Sequence, residues 1–130
     1  MNISDFIHNR LNTCSKSNAP LDATISAIND AFEVSKSNRF KLEFIRDSID
    51  EVTIRAIDSK DNQYVGIRWK VSEPQFPNII IDQYTDWGKV QDKPERSTKV
   101  KSGLEVKTYF IEEFKSLEET LEVGAENGAY

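Results

Sequence analysis

The apolar positions of this chain recur with two different periods, and the switch between them divides it into regions. Ile3, Phe6, Ile7, Leu11 and Cys14 lie at helical spacing behind the capping residues Ser4 and Asp5, which predicts a first helix. "SKSNAP" interrupts it, and Pro20 stands where a second helix starts. Over residues 21–34, Leu21, Ile25, Ile28, Ala31 and Phe32 share one face, while Asp22, Ser26, Asn29, Asp30 and Glu33 share the other. "SKSNR" ends that helix.

From residue 40 the period becomes two. Phe40, Leu42 and Phe44 alternate with Lys41 and Glu43, and Val52, Ile54 and Ala56 with Thr53 and Arg55. Val65, Ile67, Trp69 and Val71 alternate in turn with Tyr64, Gly66, Arg68 and Lys70. Alternation of this kind marks strands with one buried face, and the short polar links "RDSIDE" and "SKDN" favour an antiparallel meander. Gly66, inside the third strand, marks a bulge or the close approach of another element. Pro74 and Pro77 close that strand. The fourth, residues 78–84, is apolar at Ile79, Ile80 and Ile81 in succession, which predicts cover on both sides.

Residues 85–103 make a connection too long to be idle in a compact domain. Two outcomes are open just beyond it: a short fifth strand through Leu104 and Val106, or a helix over 104–109. Further on, Phe110, Phe114, Leu117 and Leu121 form a helical stripe, with Glu112, Glu118, Glu119 and Glu122 over the rest. Gly124 is the expected stop, and residues 124–130 the expected flexible tail. These elements add up to a single α+β domain over residues 1–123. It is expected to hold an antiparallel four- to five-stranded meander sheet, with two N-terminal helices and one C-terminal amphipathic helix packed on one face.

The length, 130 residues, suits one domain that buries roughly two-thirds of its unfolded surface. An apolar content of 38%, with Trp and Phe to fill a core, argues against disorder. The opening residues lack the apolar stretch of a secretion signal, and the longest aliphatic run, residues 79–81, is far short of a membrane span. A lone cysteine allows neither an internal disulfide nor a multi-cysteine zinc site. The expected setting is cytoplasmic, with no cofactor and no metal.

The net charge of −5 is unevenly spread. Residues 105–130 carry all of it, seven acids against two bases, while residues 89–101 hold five bases against Asp92 and Glu95. The chain is therefore a neutral body with one acidic feature and one basic one, and these bear on partners, not on fold.

Candidate chemistry is sparse. His8 is the sole histidine, and its offset from Cys14 around the first helix suits no nucleophilic pair. The five glycines form no phosphate-cradling cluster. Asp82 followed by Glu105-Val106-Lys107 resembles in outline the acid-then-E-x-K arrangement of restriction-type nucleases, in which carboxylates hold Mg²⁺ and a lysine orients water. A second such triplet, Glu113-Phe114-Lys115, lies in a helical stretch, as expected when about one arises by chance in this composition. Tyr84 and Trp87 beside the basic run offer a stacking platform with phosphate-neutralising charge, the combination single-strand nucleic-acid binders use.

The favoured expectation is a small acidic protein-binding module that blocks a partner sterically or electrostatically, in the manner of inhibitors, immunity or anti-defence proteins, or chaperones and adaptors. Tyr84 and Trp87 are the residue types that anchor interfaces. Lys89, Lys93 and Arg96 would form the rim. Glu112, Glu119 and Glu122 would meet a basic or nucleic-acid-binding partner, with the chain a monomer or homodimer. Single-stranded nucleic-acid binding and a Mg²⁺-dependent nuclease are the alternatives.

Overall fold

The computed structural model describes residues 19–75 and 78–126. The expected first helix (residues 3–14) and the last four residues lie outside the described residues. Helix α1 spans Ala19–Ser35, followed by strands β1 Phe40–Ser48, β2 Glu51–Asp58, β3 Tyr64–Gln75, β4 Asn78–Thr85 and β5 Arg96–Val100, then helix α2 Gly103–Glu126. The five strands pair in sequence order, antiparallel throughout, as a meander.

Helix α1 has Pro20 in its first turn, where a missing N–H costs nothing. It ends as Lys36 turns left-handed, φ 53°, while the Ser35 hydroxyl donates back to the Ala31 carbonyl at 2.8 Å. Its face of Leu21, Ile28 and Ala31 is buried, together with Val52, Ile54, Trp69, Val71 and Ile81 from the sheet. Val106, Phe110, Phe114, Leu117 and Leu121 complete this core from α2, a stripe repeating every three to four residues. Phe114 sits at its centre. Its ring meets Phe32, Phe40, Trp69 and Phe110 at centroid distances of 5.5, 5.9, 5.6 and 5.3 Å, edge-on to Phe32 and Trp69 and tilted to the other two.

One open choice is settled and two expectations are corrected. The fifth strand lies at Arg96–Val100, and residues 104–109 are helical. The reason is a helix cap: Ser102 Oγ accepts from the Glu105 N–H at 3.2 Å, and Glu105 Oε1 accepts from the Lys101 N–H at 2.6 Å. Gly124 does not stop α2, which runs on to Glu126; glycine permits a left-handed stop without imposing one. Finally, β4 buries Ile79 and Ile81, but Ile80 is only half-buried on the opposite face, between Ser72 and Lys99.

That opposite face carries a self-satisfying polar array. Arg55 bonds Glu43 at 2.7 Å and lies 4.6 Å over the Tyr64 ring. Arg68 lies 4.0 Å over the Tyr84 ring, and both Arg68 and the Tyr64 hydroxyl reach Asp86. Among the described residues, no helix is long and apolar enough to cross a membrane.

Candidate interaction site around Trp87

The site is built on a defect in the sheet. The β2–β3 register shifts between Arg55 and Ile57, and opposite that shift Gly66 adopts φ 92°, a conformation open to glycine. The Gly66 carbonyl accepts from the Asp86 N–H at 2.7 Å, which fastens the start of the β4–β5 loop to the bulge. Trp87 then lies directly on Gly66: a Cβ there would stand 2.5 Å from the indole Cδ1. The suspected close approach at Gly66 is thus the Trp87 ring.

Asp86 organises the rest of the loop. Its side chain is 2% exposed and its Oδ2 accepts from Arg68 Nε and from the Tyr64 hydroxyl, both at 2.6 Å. Its Oδ1 accepts the Gln91 N–H at 2.9 Å, and Arg68 also donates to the Gln91 carbonyl at 2.8 Å. Burial alone would raise the Asp86 pKa, but the bonds from Arg68, Tyr64 and the Gln91 backbone outweigh it and hold the carboxyl below its ordinary range. Burial, and then the bond to Asp86, push the Tyr64 hydroxyl upward. A further tie, Glu95 N–H to the Gln83 carbonyl at 2.7 Å, secures the far end of the loop. Between these ties Trp87 stands 66% exposed and Val90 70% exposed.

Trp87 separates two hollows. One, of about 200 Å³, opens toward α2 over an apolar floor that includes Ile67, Trp69 and Leu117, with Arg96 and Glu113 at its edge. The other, of about 450 Å³, is lined by Thr85, Gln91, Lys93, Pro94 and Glu95. Glu113 is held in place from two sides. The Trp69 indole N–H donates to Oε1 at 3.1 Å and Arg96 Nη2 to Oε2 at 2.7 Å. Burial and the Glu113 charge push the nearby Tyr109 hydroxyl up to about 12.

The expected site residues divide accordingly. Trp87, Lys93 and Arg96 come together around the hollows, and Lys89 is exposed on the same loop. Tyr84, expected as a second anchor, is 8% exposed beneath the Arg68 guanidinium and supports the sheet face instead of presenting surface. Glu112, Glu119 and Glu122 are exposed on α2. Of the nuclease set, Asp82 accepts from the Ser97 hydroxyl at 2.5 Å, while Glu105 and Lys107 lie in the first turns of a helix instead of a strand. Among the described residues no group of three His, Cys, Asp or Glu side chains is placed to hold a metal ion.

Periodicity had no means of finding Gly66 as a seat, Asp86 and Arg68 as the loop's lock, or Glu113 as the edge of a cleft. The adjacency of Asp86 and Trp87 at a strand end was visible; their partners, some twenty residues away, come from the β3–β4 register. No protein-family model matches this chain, and no curated protein or solved structure matches it either.

Proposed function

We propose that this chain is a non-enzymatic protein-binding module whose anchor is Trp87. One observation carries the proposal: an indole 66% exposed on a loop that a buried ion pair immobilises. A large exposed aromatic is costly to keep in water, and covering the rest of its surface is worth roughly 2–4 kcal/mol. Because Asp86, Arg68 and Gln91 already order the loop, little of that gain is spent on freezing it at the interface. Lys89 and Lys93 supply a charged rim, with Arg96 beside them held by Glu113, and the glutamates of α2 a second, acidic contact for a basic partner. Such a module acts by occupying a surface that its partner needs, as an inhibitor or a chaperone does.

Single-stranded nucleic acid is the runner-up, favoured by Trp87 and Lys93 lining one hollow. Against it, Arg96 is engaged by Glu113, and the Tyr64 and Tyr84 rings are covered by guanidinium groups.

The test is Trp87→Ala. The variant is expected to unfold at nearly the wild-type temperature, and to lose the protein that the immobilised wild type retains from host extract. Retention of the same protein by the variant, or collapse of its fold, would sink the proposal.

A further inference from the structure

The fold uses one recognition unit three times. Arg55 lies over Tyr64 and bonds Glu43; Arg68 lies over Tyr84 and bonds Asp86; Arg96 lies 5.9 Å from the Tyr109 ring centroid and bonds Glu113. Each unit is a guanidinium seated on an aromatic face with a carboxylate at its edge. Trp87 lines the 200 Å³ cleft that also holds the Glu113 carboxylate and the Arg96 guanidinium bonded to it, but among the described residues no guanidinium is seated on its own face.

We infer that this cleft is a receptor for an arginine side chain presented by the partner, an inference that rests on Trp87 being the binding anchor. The chemistry fits at each point. Indole is the strongest of the aromatic faces for a cation, and the flat guanidinium stacks on it where a lysine ammonium makes only a point contact. The methylene stem of arginine suits the apolar floor of Ile67 and Leu117. Glu113 accepts one hydrogen bond on each oxygen, and a carboxylate has room for about two more, so it can serve Arg96 and a guest together. The hydroxyls of Ser116 and Thr120 add acceptors for the remaining guanidinium hydrogens. At 200 Å³ the cleft is smaller than the roughly 300–1,000 Å³ of small-molecule sites, a size for one side chain. The exposed Glu112 and Glu119 of α2 extend the negative field toward a basic partner.

The test needs no identified partner. A capped pentapeptide with a central arginine between glycines is titrated into the full chain, alongside its uncharged citrulline counterpart. Binding is followed by the Trp87 indole N–H resonance. The arginine peptide is expected to shift that resonance saturably, and the citrulline peptide to bind about tenfold more weakly. Glu113→Gln is expected to weaken binding, whereas Arg96→Gln, which removes the resident competitor from Glu113, is expected to tighten it several-fold. Equal binding of both peptides would overturn the inference. So would weaker binding by Arg96→Gln, which would point to an anionic guest, with an oligothymidylate as the confirming titrant. If neither peptide moves Trp87 while Trp87→Ala still loses its captured partner, the arginine assignment falls and the anchor remains. If Trp87→Ala keeps the partner, both fall.

Discussion

The Trp87 indole rests on Gly66 with no room for a side chain between them: a methyl group at residue 66 would lie 2.5 Å from Cδ1 and 2.9 Å from Nε1. This contact joins a bulge in β3 to the most exposed aromatic ring among the described residues. It accounts for a glycine in the middle of a strand, where glycine otherwise weakens pairing.

Gly66→Ala is expected to destabilise the chain by about 1–3 kcal/mol, because φ 92° is unfavourable for alanine and the ring must move. Adding Trp87→Ala removes the ring but leaves the backbone strain. The double variant should therefore recover part of the loss, giving a coupling of about 1 kcal/mol by urea unfolding. Strict additivity would mean that the indole is not seated where the geometry places it.

Asp86→Asn keeps the shape of the side chain and removes the charge that faces Arg68. Both side chains are largely buried, at 2% and 16% exposure, so an uncompensated guanidinium remains. Equilibrium unfolding should show a loss of about 3 kcal/mol, the lower end for breaking such a pair. Trp87 emission should also become more mobile in anisotropy. A loss below about 1 kcal/mol would show that other contacts hold the loop.

Stability should fall at both pH extremes for identifiable reasons. The Asp86 carboxyl is depressed in the folded state. Its contribution is full above its ordinary value of 3.8 and is lost as acid protonates it below that. Tyr64 and Tyr109 are raised from 10.0, so they favour the folded state below that pH and withdraw support above it, Tyr109 progressively toward about 12. Thermal unfolding across pH should therefore show a plateau in these groups' contribution between about 4 and 10. In Asp86→Asn the acid limb should become shallower; an unchanged limb would exclude Asp86 as its source.

Phe114→Ala is expected to cost about 3–5 kcal/mol, a large part of the 5–15 kcal/mol that a domain of this size possesses. Four aromatic rings lose their common neighbour. Leu104→Lys, by contrast, replaces a side chain 74% exposed and should stay within about 0.5 kcal/mol of wild type. A severe loss at Leu104 would show that the start of α2 packs differently.

Where burial of one face was the sole requirement, the residue pattern was a sufficient guide. The alternation in β1 to β3 and the stripe Phe110, Phe114, Leu117 and Leu121 each report which side of an element leaves water, a local property written in periods of two or 3.6. The start of α2 was also legible in principle, since Ser102 and Glu105 stand at capping-box spacing. The strand character of Arg96–Val100 was not, because an exposed edge strand carries no apolar alternation and takes its shape from hydrogen bonds to β4.

The site itself belongs to the second kind of information. One-dimensional order made Trp87 and its basic neighbours candidates, and it left Gly66 as either a bulge or the close approach of another element. It offered no reason to prefer Trp87 over Tyr84, since Tyr84 is covered by Arg68 across the β3–β4 pairing while Trp87 lies beyond the strand with its ring exposed. Nor did it pair Asp86 with Arg68 and Tyr64, or bring Glu113 to Trp69 and Arg96 across 44 and 17 residues. Those meetings follow from sheet register and from how α2 lies on the sheet. Both are set by the packing of the whole core, and no local stretch of residues encodes them.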